Sequence, residues 1–171
     1  MKKIITNSLL LFLLSIFISF VYKVLPYFIT LTFSPVNNSI FEYLKLIFSS
    51  YIIFLILKLV FLKTREANDI KNHFYLGLFN IAIFLILYLP VILIFKENIF
   101  LAYIINFISI SITMFLYQKL EKKQNNSKEN NLFIIPIVLL FIMFTYFSYH
   151  PLKNFLFFDK QNNKYGIHTN Y

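Results

Sequence analysis

Between Ser34 and Lys45 the sequence reads Ser-Pro-Val-Asn-Asn-Ser-Ile-Phe-Glu-Tyr-Leu-Lys, its densest run of chemically capable side chains. Ser39 and Glu42 have the S-x-x-E spacing of a capping box, in which the serine oxygen accepts from a backbone amide and the glutamate reaches back to the cap's own amide. Glu42, Lys45 and Ser49 fall at i, i+3 and i+7, so a helix would carry a carboxylate, an amine and a hydroxyl on one face. Such a set either starts a helix or does acid/base work, with Glu42 as the proton carrier and Lys45 supplying positive charge. Pro35, Asn37 and Ser39 belong with Glu42 and Lys45 to the cap and motif. His150, Asp159 and His168 near the end of the chain are further candidates to join Glu42 as ligands or acid/base groups. Their spacing matches no metal-ligand pattern, and no metal or cofactor is expected.

The elements that must position these residues follow from composition. Hydrophobic residues make up 59% and charged residues 13% of 171, with a mean hydropathy of +0.72. Soluble domains average about 45–50% apolar and about 25% charged, so this excess belongs in lipid. The apolar residues form long blocks separated by short polar stretches. The expected fold is all-α, a polytopic transmembrane bundle with about five spanning helices at residues 4–25, 39–62, 73–95, 99–117 and 132–149. Residues 1–150 would form one transmembrane domain and residues 151–171 an extramembrane or interfacial tail. The first block is too long for a signal peptide and lacks a small-x-small cleavage site.

Tryptophan is absent, which leaves tyrosine as the interfacial anchor: Tyr22, Tyr27, Tyr75, Tyr88, Tyr103, Tyr117, Tyr146 and Tyr149 lie toward block ends. Ten of the 16 basic residues belong to the N-terminus and the loops after the second and fourth blocks, against six on the other side. That bias puts the N-terminus in the cytoplasm and the tail outside. Lys58, a turn from the cytoplasmic end of its block, can snorkel to the headgroups. The net charge of +9 is explained by these flanking lysines, so no nucleic-acid partner is expected. The partner is the bilayer, with a homo-oligomer or a membrane complex open. There is no cysteine, hence no disulfide and no thiolate site. The richness in Lys, Asn, Ile, Phe and Tyr matches an AT-rich bacterial genome.

Inside the blocks, weakly polar residues recur at helical spacing: Ser8, Ser15 and Ser19; His73, Gly77 and Asn80; and Ala102, Asn106, Ser109 and Thr113. They predict a close-packed interior or, alternatively, a water-filled path lined by Asn80 and Asn106.

The run Pro35-Val36-Asn37-x-Ser39-x-x-Glu42-x-Leu44-Lys45 resembles the signature of a family of small bacterial multi-pass membrane proteins catalogued as a domain of unknown function. The tail, with Pro151, Phe157, Asp159 and Tyr165-Gly166-Ile167, resembles that family's ending. The resemblance implies a membrane location and no known activity. This chain has Asn38, Phe41 and Tyr43 where the family tends to have glutamate, tryptophan and histidine. A family metal site built on those residues would here lack two ligands.

No H-E-x-x-H helix, G-x-S-x-G elbow or P-loop is present. The sequence therefore favours a non-enzymatic membrane component: a subunit, scaffold or small-solute permeation element. The alternative is a membrane-embedded enzyme with an outer-face site around Glu42, Lys45 and the tail.

Overall fold

The computed structural model describes residues 2–62, 69–95, 98–121 and 130–169. The elements run α1 (Lys2–Val24), α2 (Phe28–Phe33), α3 (Ile40–Leu57), α4 (Asp69–Ile94), α5 (Ile99–Glu121) and α6 (Ile134–Tyr149). Three two-residue strands follow: β1 (Phe158–Asp159), β2 (Lys164–Tyr165) and β3 (His168–Thr169). The fold is an all-α bundle with a very small antiparallel sheet in its tail, in the order β1-β2-β3.

Among the described residues, four helices are long and apolar enough to cross a membrane: Ile4–Val24, Ile40–Phe61, Asp69–Ile94 and Ile99–Gln118. Their composition makes the chain a multi-pass membrane protein. Large apolar side chains such as Phe17, Ile86 and Leu93 point outward, as lipid solvation requires. The fifth apolar block is shorter than expected, because α6 has 16 residues. A 3-10 turn, Asn130–Phe133, precedes it. Pro136 sits in the first turn of α6, where its missing N–H costs nothing.

Three local features depart from the expected boundaries. The short helix α2 occupies what reads as a loop. Helix α3 closes in a π-helical turn, Lys58–Leu62. Helix α4 is already helical at Asp69, a turn before the expected start.

Helix α3 is the axis of the bundle, with 13 of its 18 residues buried. On one side Leu46, Ile47 and Tyr51 pack with Leu11, Ile18, Phe84, Tyr88, Ile105 and Ile110 of α1, α4 and α5. On the other, Phe41, Phe48 and Ile52 meet Ile137, Phe141 and Phe144 of α6, with Phe74 and Phe157. Tyr88, expected at the interface, is instead core, 1% exposed and ring-stacked 4.9 Å from Phe84. Tyr27, Tyr75 and Tyr146 are exposed, as an anchor needs. Lys58 does not snorkel freely; its ammonium lies 2.8 Å from the Asp69 carboxylate. The polar loop at 118–131 falls largely outside the described residues, Lys122, Lys123 and Lys128 included.

Candidate functional site

The motif starts at the carbonyl end of α2. Residues 34–39 turn the chain into α3 through local hydrogen bonds: the Ser39 amide donates to Asn37 Oδ1 at 2.9 Å, and the Glu42 amide donates to Ser39 Oγ at 3.4 Å. Half of the capping box therefore forms. The return arm does not, because the Glu42 carboxylate turns elsewhere: its Oε2 accepts from the Val36 amide at 3.1 Å. The Phe41 amide, another orphan donor of the first turn, is taken by the Leu156 carbonyl of the tail at 2.9 Å.

Glu42 and Lys45 pair at 2.6 Å, and both are buried, 1% and 0% exposed. Ser148, in the last turn of α6, joins them. Its hydroxyl donates to Glu42 Oε1 at 2.6 Å and accepts from the Lys45 ammonium at 2.8 Å. The ammonium makes a third bond, to the Leu31 carbonyl of α2, at 3.1 Å. One charge pair thus ties α2, α3 and α6 together at one end of the bundle.

The tail closes over this end. Asp159, fully buried, accepts from the Asn38 amide at 2.8 Å, from the Gln161 and Asn162 amides at 3.0 Å each, and from Asn162 Nδ2 at 2.8 Å. Asn37 Nδ2 donates to the Gly166 carbonyl at 3.0 Å, and the Ile167 amide donates to the Ser148 carbonyl at 3.1 Å. Gly166 has φ +54°, and a Cβ there would run into that same Ser148 carbonyl. Phe157 stacks on Phe41 at 4.4 Å. Leu152 and Phe155 stay exposed, free to enter an interface.

The structure brings Pro35, Asn37, Ser39, Glu42, Lys45 and Asp159 into one buried assembly. It does not bring His150, which is exposed with its ring 5.1 Å from Tyr146. The side chain of His168 lies outside the described residues. Asp159 holds the motif's backbone rather than Glu42. Ser49 is buried on the Glu42 face without joining the pair. Ser148 and the Leu31 carbonyl were not anticipated. Ser148 shares the end of α6 with the hydroxyls of Thr145, Tyr146 and Tyr149, so nothing in the sequence singled it out. Among the described residues no group of three His, Cys, Asp or Glu could hold a metal ion.

The intramembrane polar residues are all interior: Asn80, Ser109 and Thr113 at 0% exposed and Asn106 at 3%. Asn106 Nδ2 donates to Ser15 Oγ at 3.1 Å, joining α5 to α1. Thr113 donates to Asn80 Oδ1 at 3.3 Å, joining α5 to α4. Ser109 bonds back to its own helix, at the Asn106 carbonyl. No family model, curated protein or solved structure matches the chain.

Proposed function

We propose that this is a non-enzymatic component of a bacterial cell membrane, in which the Glu42 motif and the tail form a structural latch. One observation carries the reading: all three donors of the ammonium and both oxygens of the carboxylate are engaged within the chain, and neither group is exposed. An ammonium has three donors, and Lys45 spends them on Glu42, Ser148 and the Leu31 carbonyl. Both Glu42 oxygens are occupied as well, by Ser148 on one side and by Lys45 and the Val36 amide on the other. Acid/base catalysis needs a group within reach of a substrate proton, and none of these atoms is exposed. Kinship with the family bearing the P-V-N-x-S-x-x-E-x-L-K pattern belongs to the same proposal.

The arrangement in the membrane has five crossings. At about 1.5 Å per residue α6 is about 24 Å long, and the 3-10 turn adds about 8 Å, enough for a core near 30 Å. The charge bias supports a cytoplasmic N-terminus and an outer latch.

Comparing Glu42→Gln with Ser39→Ala tests the latch. Both should lower folded yield and thermal stability, Glu42→Gln the more. Loss of a cellular phenotype in Glu42→Gln at unchanged stability would favour the enzyme at the outer face and end the latch reading.

A further inference from the structure

The outer side of a spanning bundle faces lipid, so a groove there is filled by part of a lipid or by another helix. An open groove of about 470 Å³ runs between α4 and α5, lined by Asn72, Tyr75, Phe79, Ala82, Thr113 and Tyr117, among others. Pockets that hold one small ligand are of this size, about 300–1,000 Å³. Tyr75 and Phe79 in its wall are 50% and 43% exposed, so the groove opens outward.

Its two ends differ. At one, the Tyr117 hydroxyl accepts from Asn72 Nδ2 at 2.8 Å, joining the start of α4 to the end of α5. At the other lies Ala82, in the middle of α4, whose 26 residues run from Asp69 to Ile94. From Asn72 to Ala82 is about 15 Å along the helix axis, half of a hydrocarbon core near 30 Å. The groove therefore covers one leaflet, from headgroup depth to the midplane. A partner helix would lie along both leaflets, whereas an acyl chain fills one.

The headgroup end carries positive charge. The Lys71 ammonium stands 5.7 Å from the Phe133 ring centroid, and that ring lies 5.4 Å from Tyr75 in the groove wall. Lys71 and Tyr75 are also i and i+4 on α4, on one face of the helix. Asp69, two residues before Lys71, is paired with Lys58 at 2.8 Å. In sequence, Lys63, Arg65 and Lys119 adjoin the same ends of α4 and α5. A cation beside an apolar slot one leaflet deep matches a lipid with a negative headgroup.

We propose that the α4–α5 groove binds one acyl chain of an anionic phospholipid, with its phosphate at the Asn72–Tyr117 end beside Lys71. The lipid comes from the leaflet at that end, which is the cytoplasmic one in the orientation proposed above. The site itself depends neither on that orientation nor on the latch.

The chain holds no tryptophan, so a single introduced indole reports alone. Phe79→Trp puts it in the groove wall. Phe115→Trp puts it at similar depth, by the Thr113–Asn80 register, but about 200° round α5 from Thr113. Each variant is placed in vesicles of phosphatidylcholine and phosphatidylglycerol, with one lipid at a time brominated on its acyl chains. Quenching in Phe79→Trp should favour phosphatidylglycerol about fivefold, the effect of one lysine near an anionic lipid. Phe115→Trp should show no preference. Equal preference at the two positions would overturn the site. So would weak quenching by both lipids in Phe79→Trp alone, the sign of a second helix in the groove. Adding Lys71→Gln should abolish the preference while chain quenching persists; a surviving preference would refute the headgroup position. The unaltered chain gives a second readout. In native mass spectrometry with both lipids equimolar it should retain one phosphatidylglycerol, and Ala82→Phe, which fills the midplane end of the groove, should retain none. Retention by Ala82→Phe would place the lipid elsewhere and end the proposal.

Discussion

Removing one member of the Glu42–Lys45 pair strands the other charge in a place that water does not reach. Glu42→Gln or Lys45→Met should each cost about 3–5 kcal/mol of unfolding free energy, measured in mixed detergent micelles. The double variant should cost clearly less than the sum, because no lone charge remains. Additive losses would mean the two residues act separately. The sequence already showed the pair and its cap, since i, i+3 spacing and S-x-x-E are local patterns. It could not show Ser148, which lies 103 residues from Lys45. Nor could it show that the glutamate abandons the cap, because that choice depends on a hydroxyl supplied by another helix. Shared spacing says nothing of depth; burial turns the pair into a joint.

Helices α3 and α4 approach closely where Gly77 meets Phe48, a side chain with no exposure. A Cβ at Gly77 would lie 2.9 Å from Phe48 Cδ2, so Gly77→Ala should push the helices apart and destabilise by about 1–3 kcal/mol. Unchanged stability in denaturant titration would show that Phe48 moves aside freely. Gly166→Ala should act differently, because φ +54° and the nearby Ser148 carbonyl both oppose a side chain there. Its expected effect is release of the tail, seen as faster proteolysis after Lys160 with the bundle intact. Periodicity revealed the long helices because apolar length is a property of one segment. It missed α2 and the tail strands, which are too short for any period. It also placed Tyr88 at an interface, since position along a helix says nothing of which neighbour covers the ring. Asn80 and Asn106 were legible as interior residues; their partners, Thr113 and Ser15, were legible only as members of separate stripes.

Among the described residues, four long apolar helices make up most of the molecule, and α6 is laid against the far side of α3. The orientation proposed above has a direct check, because the chain holds no cysteine. A single cysteine at Lys160 should react with an impermeant maleimide in intact cells, and one at Lys122 should not; the reverse pattern would turn the molecule over. The latch draws its parts from both ends of the polypeptide: Leu31, Glu42 and Lys45 are made early, Ser148 and Gly166 late. Synthesis runs in one direction, so the early charges enter the bilayer while their hydroxyl partner is still untranslated. The last helix and its tail act on a nascent chain as a clasp that shuts only after the rest is in place. A ribosome that stalls before residue 148 leaves an unclasped protein, with two buried charges short of a partner and an open helix end for quality-control proteases to find.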